Sequence, residues 1–438
     1  MNFLEKSKNM IRKLDNSAIN FFTIYFIFLF IILFLNFYFA YSYILKFPNI
    51  VDEENRIILK NLGFNFGQIL ANLQINEGLK AIYFDTEYYV SRMPLLPLTL
   101  TFLYDYVSEN FYVILLIKNL FFFSIIFVLL CNFKKDIKIT FVIFSLCIFI
   151  YNPHNLITSL SFNFEEGLLN YLIIILFISI LSDLKYKFLI ISFTISLIFF
   201  LKSSMIFLCA FLSIFFILSG FKKDKYFFLP LVFLIISSLI WGTYSYTKTG
   251  VFAYGTNLAS YNAFTLNHAY NSKFTSLYPS ISPDVLTKEI EEKLPLSVKK
   301  DEWEIDKFYF KDSINYLKSN PEDILIGVLK KFQVVFFYIY KDSQFRNTNE
   351  EITNEIRLSN IPNKLFFILY LFLILRNFYL FRDSKNLLFI LATFFYFFPY
   401  FVGFIYTRHC TAFYMIATFY VFNEIYNNNK KSSFFKKK

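Results

Sequence analysis

The chain has 438 residues, of which 56% are hydrophobic and only 17% are charged, and its mean hydropathy is +0.49. Apolar runs recur along it, and one run of about 20 residues spans the ~30 Å hydrocarbon core of a bilayer as a helix. These features exclude a soluble protein and predict an all-α polytopic membrane protein. The net charge of +11 fits either a nucleic-acid-binding protein or a membrane protein with basic cytoplasmic loops.

The first apolar run follows a basic arm. Residues 1–17 include Lys6, Lys8, Arg12 and Lys13. The run after them, residues 18–42, is too long for the core of a cleaved signal peptide and lacks a small-x-small cleavage site. This pattern indicates a retained first span that starts on the cytoplasmic side.

About ten transmembrane helices are predicted along the chain. They cover residues 18–42, 111–131, 139–152, 167–182, 188–201, 204–219, 226–245, 363–380, 386–402 and 411–423. The shorter ones are predicted to be tilted or half-buried among their neighbours.

The distribution of lysine and arginine supports this count. Both are concentrated in the pieces assigned to the cytoplasm, which are 133–138, 183–187, 220–225, 381–385 and the tail 425–438. The short outer connections 151–166 and 403–410 contain one such residue, Arg408. This is the positive-inside pattern. It predicts that both termini lie in the cytoplasm, and it explains the basic charge without nucleic acid.

Two stretches decide how the chain alternates across the membrane. Residues 188–219 would form a helix ~48 Å long, too long for one crossing, so the chain is predicted to turn back near Lys202 in "LKSSM". Residues 320–340 begin with Asn320 and Pro321, a helix-start signal. A crossing there would put the basic tail outside, so this helix is predicted to lie along the outer interface.

Two large segments then face away from the cytoplasm. One is an amphipathic first outer loop, residues 43–110, and the other is the large loop between the seventh and eighth helices, residues 246–361. The predicted division is a transmembrane catalytic region (1–245), the outer loop with its helical subdomain (246–361), C-terminal transmembrane helices (362–424) and a basic cytoplasmic tail (425–438).

The stretch "YFDTEYYVSRMPLLPL" in the first outer loop carries two carboxylates, Asp85 and Glu87, followed by Arg92. The apolar helix predicted after Met93 and Pro94 would lie in the membrane interface. Partial loss of water there raises a carboxylate pKa and makes the group a better base. The alternative interpretation is an ordinary solvated pair of loop acids.

Further polar groups fall at predicted outer helix ends. His154 and His409 flank outer turns, and Glu165 and Glu166 enter the fourth span. A glutamate at the start of a span is costly unless it faces water or a partner. The alternative interpretations are a hydrogen-bonded surface histidine and an acid favoured by the helix macrodipole.

The outer cations form a third group of candidates. Lys202, Lys331 and Arg408 on one face would form an anion site suited to a lipid phosphate. The alternative is that each one extends toward lipid headgroups. Lys118, inside the second span, is predicted to extend outward in this way.

Several stretches, in this order, resemble bacterial membrane glycosyltransferases of the C-type fold, especially protein-mannosyltransferases and lipid A aminoarabinose transferases. "FDTEYYVSRMPLLPL" is similar to their D-x-x-Y…P-x-x-P element, and "SFNFEEGLLNYL" to the acid before their fourth span. "FLKSSMIF" stands where they carry an arginine, here Lys202. "FKDSINYLKSNPEDILIGVLKKF" resembles their interfacial helix and "YTRHCTAFYMI" the start of their last span.

This resemblance implies a protein in the inner membrane of a bacterium, surrounded by membrane lipids. It implies a sugar donor on polyprenyl phosphate and an extracytoplasmic lipid, glycan or protein acceptor. It implies that Asp85 accepts the proton of the acceptor hydroxyl and that Glu87 supports it. The donor phosphate would be bound by Lys202, Lys331, Arg408 and His409, with Arg92, His154, Glu165 and Glu166 in support. Metal dependence stays open, since the D-x-E pair could hold one divalent ion.

Three other classes remain possible from the sequence. They are a polysaccharide polymerase or ligase, a transporter or lipid flippase, and a membrane subunit without catalytic activity. The first commonly has arginine-rich outer loops, and the second has Gly/Pro-broken spans in matching halves. Neither pattern is evident here, and replacement of Asp85 separates an enzyme from a structural subunit.

Overall fold

The computed structural model describes residues 51–58, 66–83, 85–131, 165–181, 184–218, 226–258, 294–299, 301–336, 350–381 and 384–402, together with positions 30, 34, 405, 409–414, 416–418, 420, 421 and 424. The predicted span 139–152 and all but two residues of the predicted span 18–42 lie outside this set.

The described part of the chain is mostly helical. In chain order the elements are α1 (Phe66–Gln74), β1 (Ala81–Tyr83), β2 (Thr86–Tyr88), α2 (Leu95–Tyr106), α3 (Phe111–Cys131), α4 (Glu165–Leu181), α5 (Lys187–Leu201), a 3₁₀ turn (Ser203–Met205), α6 (Ile206–Leu218), α7 (Leu229–Thr249), α8 (Glu302–Ser319), α9 (Pro321–Phe336), α10 (Glu350–Phe381) and α11 (Ser384–Val402). A C-terminal helical segment includes the described positions from His409 onward.

The prediction of an all-α protein needs one correction, because the first outer loop contains a β-hairpin. β1 and β2 pair antiparallel with Ile82 opposite Glu87. Asp85 lies in the two-residue turn with φ 61°, a left-handed conformation that aspartate tolerates better than most residues. Burial alternates along β2, where Thr86 and Tyr88 are buried and Glu87 is exposed; this alternation and the turn residue favour a hairpin over a helix.

Two of the described helices are long and apolar enough to cross a membrane, Leu229–Thr249 and Asn363–Leu380 within α10. Shorter apolar helices cover Phe111–Ile126, Lys187–Leu201, Ser203–Leu218 and Asn386–Val402. The two long helices support association with a membrane. The count of ten spans stays a prediction.

Both long apolar helices expose a stripe of large apolar side chains. On α10 the stripe consists of Leu365, Ile368, Leu369, Phe372 and Leu375. These positions recur at spacings of three and four, so they share one face of the helix. An exposed apolar face this long is unusual for a surface in water, and it fits contact with lipid.

Helix α4 lies at the centre of the helix bundle. Every residue from Glu166 to Ser179 is buried, so apolar side chains are needed all round the helix and no amphipathic pattern is visible. Polar residues on α4 bond to its neighbours: Tyr171 donates to Asn119 of α3 at 2.9 Å, and Asn170 accepts from Thr411 at 2.9 Å. Such bonds join helices where few other polar partners exist.

The predicted interruption of the helix near Lys202 is confirmed, while the return of the chain across the membrane stays a prediction. Helix α5 ends at Leu201, Lys202 is extended, and the chain re-enters a helix through Ser203–Met205. The end of α7 is fixed by Gly250, which has φ 73° and whose N–H bonds to Tyr246. Glycine takes this left-handed conformation without steric cost.

The two large segments predicted to face outward pack against each other. The N–H of Asn257 donates to the carbonyl of Val90 at 3.3 Å, and Thr86 donates to the carbonyl of Lys299. The carboxylate of Glu302, in the first turn of α8, accepts from the N–H groups of Tyr89 and Val90. The segments therefore lie at the same end of the helix bundle.

The helical part of the second segment begins and ends largely as its residues suggest. Asp301 caps α8 by accepting from Trp303 and Glu304, as a short acidic side chain does at a helix start. Helix α9 begins at Pro321, in agreement with the predicted start signal. The proposed boundary between residues 361 and 362 falls inside α10, which runs from Glu350 to Phe381 without interruption.

Candidate functional site

Charged side chains from four separate segments meet at the end of the bundle where the outer segments pack. Glu165 and Glu166 lie in the first turn of α4, and Lys202 lies between α5 and α6. His409 is the first described residue of the C-terminal helical segment. Arg92 comes from the loop between β2 and α2. We call these five residues the charge cluster. All five belong to the predicted site residues.

Glu166 is the centre of the charge cluster. Its Oε1 accepts a hydrogen bond from Nζ of Lys202 and lies 3.1 Å from Nε2 of His409. The side chains of Glu166 and His409 are 6% and 2% exposed. A carboxylate this far from water is costly unless it is paired, and here two partners share one oxygen.

Glu165 connects the cluster to Arg92. Its Oε2 lies 3.9 Å from Nζ of Lys202, and its Oε1 lies 3.9 Å from Nη1 of Arg92. The guanidinium of Arg92 also lies over the ring of Phe66, 5.3 Å from its centre, and beside the phenol of Tyr83. Since Tyr83 is the last residue of β1, the hairpin that carries Asp85 adjoins the charge cluster.

Tyr400, near the end of α11, forms one wall of the cluster. Its ring stacks on the imidazole of His409 with 4.4 Å between ring centres, and Nζ of Lys202 lies 5.4 Å from its centre. The neighbouring Tyr396 donates to the carbonyl of His409 at 2.7 Å. Tyr400 was missed by sequence reasoning, because nothing distinguishes it from the other 31 of the 32 tyrosines in the sequence.

This arrangement can act on an anion or on a proton. Lys202 and Arg92 are cations with several N–H donors each, and His409 adds a third positive charge when protonated. A phosphate that displaces the carboxylates would find these donors already gathered. The 3.1 Å contact between His409 and Glu166 also lies within hydrogen-bond distance, as proton transfer requires.

Asp85 and Glu87, the predicted acid pair, differ from the cluster in their surroundings. Both are exposed. Glu87 bonds to Lys80 at 2.7 Å and accepts from Tyr89, and these bonds lower the pKa of its carboxyl. Asp85 makes no hydrogen bond or ion pair with another described residue. Of the two, Asp85 is therefore the one whose carboxylate is free to accept a proton.

Lys331, another of the predicted phosphate ligands, lies on α9. It is 2% exposed and donates to the carbonyl of Phe401 at 2.7 Å, where the end of α11 has carbonyls without helical partners. Burial lowers the pKa of Lys331 to about 7, because the ammonium loses water. Its described contact supports the helix end that carries Tyr400.

Three other predicted positions are Arg408, His154 and Lys118. Arg408 and His154 lie outside the described residues. Lys118 was predicted to extend outward, and this is wrong: its side chain is 4% exposed, inside the bundle on α3. The burial of Lys118 follows from the packing of α3 against the central helix α4, which a single apolar run does not reveal.

Glu302 and Asn257 were also missed as site candidates. Glu302 bonds to two backbone N–H groups and to Nδ2 of Asn257, and both side chains are buried. Burial raises the pKa of the Glu302 carboxyl, while these hydrogen bonds act in the opposite direction. No local motif marks either residue, because they meet only when the two outer segments fold together.

A metal site was left open by the sequence. Within the part of the chain that the structure describes, no group of three or more His, Cys, Asp or Glu side chains is arranged to hold a metal ion. No family model, no curated protein and no solved structure matches this chain. The function is therefore argued from the chain's own residues.

Proposed function

We propose that the protein is an integral membrane glycosyltransferase that moves a sugar from a polyprenyl-phosphate donor to a lipid, glycan or protein acceptor outside the cytoplasm. The observation that carries this proposal is the charge cluster. Charged side chains from four segments, three of which carry the cations Arg92, Lys202 and His409, converge at one end of an apolar helix bundle, beside the two large polar segments. This is where a lipid with a charged head and an apolar tail would bind.

The cluster fits the phosphate of such a donor. In the transfer, the bond between the anomeric carbon and the phosphate oxygen breaks, and the phosphate leaves with the electron pair. Lys202 and Arg92 would stabilise the negative charge that develops there, and His409 would donate a hydrogen bond when protonated. Glu165 and Glu166 would hold these cations in place while the site is empty.

Asp85 is the best candidate for the base. The acceptor hydroxyl attacks the anomeric carbon as its proton passes to a carboxylate. Asp85 lies on a hairpin turn that adjoins Arg92 through Tyr83, and its carboxylate has no ion-pair partner among the described residues. Glu87 is held by Lys80, so we assign it a supporting role.

The membrane topology of the proposal has ten spans with both termini in the cytoplasm and the charge cluster at the opposite face. The shared location of the outer segments and of the helix ends near Glu166, Lys202 and His409 supports this alternation. The donor is already activated at its sugar–phosphate bond, so no soluble energy source is needed outside the cell.

The experiment compares purified protein in lipid nanodiscs with its Asp85→Asn variant. Short-chain polyprenyl phosphates that carry a hexose, an aminosugar or a pentose are the donors, and a membrane extract supplies the acceptors. Mass spectrometry should detect sugar transfer by the wild type. Asp85→Asn should lower the rate by about 10²–10⁴-fold, because the general base is lost, while its thermal unfolding midpoint stays the same.

Glu87→Gln on the same hairpin is the matched control and should keep most of the activity. Full activity of Asp85→Asn would refute the assigned base. Absence of transfer for every donor, together with unchanged surface glycans and lipid A in cells that lack the gene, would refute the glycosyltransferase. A transporter would instead move the lipid without changing it chemically.

A further inference from the structure

Beside the charge cluster, three buried side chains have polar atoms without a partner among the described residues. They are Oε1 of Glu302, Oδ1 of Asn257 and Oγ of Ser91. Exposure is 5% for Glu302 and 1% for each of the other two. Buried polar atoms are nearly always hydrogen-bonded, so these three atoms are positions at which a polar ligand could form hydrogen bonds.

The side chains of Glu302 and Asn257 lie together because both are tied to the segment around Val90. Glu302 accepts from the N–H of Val90, and the N–H of Asn257 donates to the Val90 carbonyl. Nδ2 of Asn257 also donates to Oε2 of Glu302. Ser91 is the next residue in the chain. The remaining oxygens of Glu302 and Asn257 are thus two acceptors on adjacent side chains.

Their chemistry selects the kind of ligand. A carboxylate oxygen and an amide oxygen accept hydrogen bonds, and a serine hydroxyl both accepts and donates. Neighbouring hydroxyl groups on a sugar ring supply two donors and several acceptors at a short spacing. A phosphate has no matching donors when ionised, and a carboxylate facing it would repel it.

The distance to the charge cluster fits the same ligand. Val90 and Arg92 are two residues apart, which an extended chain spans in at most about 7 Å. Arg92 reaches Glu165 on one side, while Val90 lies against Glu302 and Asn257. A sugar ring next to a phosphate bound at Arg92 would reach these acceptors.

We propose that Glu302, Asn257 and Ser91 form the subsite that binds the sugar hydroxyls of the donor, next to the phosphate site of the charge cluster. This assignment rests on the proposed function. It gives the second large segment a direct role in sugar selection, because two of the three residues belong to it.

The experiment uses the two tryptophans of the chain, which both lie close to residues of this subsite. Trp303 follows Glu302, and Nε1 of Trp241 donates to the carbonyl of Gly255, two residues before Asn257. Full-length protein in nanodiscs is titrated by fluorescence with short-chain polyprenyl phosphate, alone or bearing mannose, glucose, galactose, N-acetylglucosamine or arabinose. At least one sugar should tighten binding about tenfold over the sugar-free lipid, as two new hydrogen bonds allow.

Glu302→Gln is the informative variant. Its amide oxygen can still accept the bonds from Tyr89, Val90 and Asn257, while its NH₂ group replaces the unpartnered Oε1. An acceptor becomes a donor without a change of shape. We expect Glu302→Gln to remove most of the tenfold gain from the sugar and to bind the sugar-free lipid as the wild type does.

Ser91→Ala is the second variant, and it keeps the test open if Glu302→Gln does not fold. It should lower the sugar-dependent gain a few-fold. Ser313→Ala is the matched control, since Oγ of Ser313 also lacks a described partner but lies eleven residues along α8 from Glu302, about 16 Å. Ser313→Ala should change neither the affinity for the sugar-free lipid nor the affinity for the sugar-bearing lipid.

The outcomes separate the two proposals. If the sugar-free lipid binds but no sugar adds affinity, or if Glu302→Gln weakens both lipids equally, the subsite is refuted and its occupant is water. The proposed function then still stands. If no lipid phosphate binds at all, the proposed function fails and the subsite falls with it.

Discussion

Two lysine–glutamate pairs in this protein have the same chemistry and opposite surroundings. On the hairpin, Lys80 and Glu87 lie 2.7 Å apart with 20% and 53% of their side chains exposed. In the charge cluster, Lys202 and Glu166 are 14% and 6% exposed. Water screens the attraction between Lys80 and Glu87. It screens the attraction between Lys202 and Glu166 much less. The comparison shows that a charged motif gains significance from what packs around it.

The sequence pattern alone favoured the exposed hairpin, through its acid pair Asp85 and Glu87. A D-x-E spacing is visible in any sequence, whereas the buried cluster is assembled from positions 92, 165, 166, 202 and 409. Its members become neighbours only after the helices pack. The following predictions test how far burial separates these two regions, beginning with the largest expected effect.

Glu166→Ala should destabilise the protein by about 3–5 kcal/mol, because Lys202 and His409 stay buried but lose the carboxylate that they share. The measurement is the free energy of unfolding in detergent, from denaturant titration. Glu166→Gln keeps the shape and an acceptor oxygen, so it should lose less. A Glu166→Ala protein as stable as the wild type would show that the cluster is open to water.

Thr411→Val tests whether the cluster depends on bonds between helices beneath it. Thr411 lies two residues after His409, and its hydroxyl donates to the side chain of Asn170 at 2.9 Å. Loss of this buried bond should destabilise the protein by about 1–3 kcal/mol. Thr247→Val is the matched control, because the hydroxyl of Thr247 is exposed and bonds to its own helix at Tyr244. Equal effects of the two substitutions would contradict the prediction.

Glu302→Gln should change how stability depends on pH. Burial raises the pKa of Glu302 above its ordinary value of 4.5, so the folded protein holds this proton more tightly than the unfolded chain does. The resulting stabilisation is present below the unfolded pKa and is lost as the pH rises through the folded pKa. Relative to Glu302→Gln, the wild type should therefore be more stable at about pH 5 than at about pH 7.5. The measurement is the thermal unfolding midpoint of both proteins at each pH, and parallel curves would contradict it.

Glu87→Gln should give the smallest effect, with no measurable shift of the unfolding midpoint. Its carboxylate is exposed and its partner Lys80 is half-buried, and ion pairs in contact with water contribute little and are screened by salt. A double-mutant cycle on Lys80 and Glu87, repeated at high salt, supplies the control. A coupling as strong as that between Lys202 and Glu166 would remove the distinction between the two regions.

Local signals in the sequence predicted a good part of the structure. The turn at Lys202, the start of α9 at Pro321 and the helix after Pro94 follow from chain length, proline and apolar runs, which act over a few residues. The hairpin at Asp85 was missed because the apolar composition around it masked its alternation. The burial of Lys118 was missed because it depends on which helix lies opposite.

The candidate site was predicted in its membership more than in its arrangement. Glu165, Glu166, Lys202, Arg92 and His409 were all named from their places at helix ends, where polar residues are expected near water. That Glu166 joins Lys202 and His409 could not be predicted, since Lys202 is 36 residues away from it in the chain and His409 is more distant still. Glu302 and Asn257 had no local signal for the same reason.

The length of α10 has a mechanical consequence. Its 32 residues form a rod of about 48 Å, of which the 18-residue apolar part is about 27 Å long. Where this apolar part crosses a membrane, the 13 residues before it, from Glu350 to Pro362, would stand beyond the hydrocarbon layer as a stiff lever about 20 Å long. If the apolar part tilts by about 10°, the tip of this lever sweeps sideways by about 3 Å. Such a displacement would carry a disturbance in the bilayer to the outer segments without any loop having to relay it.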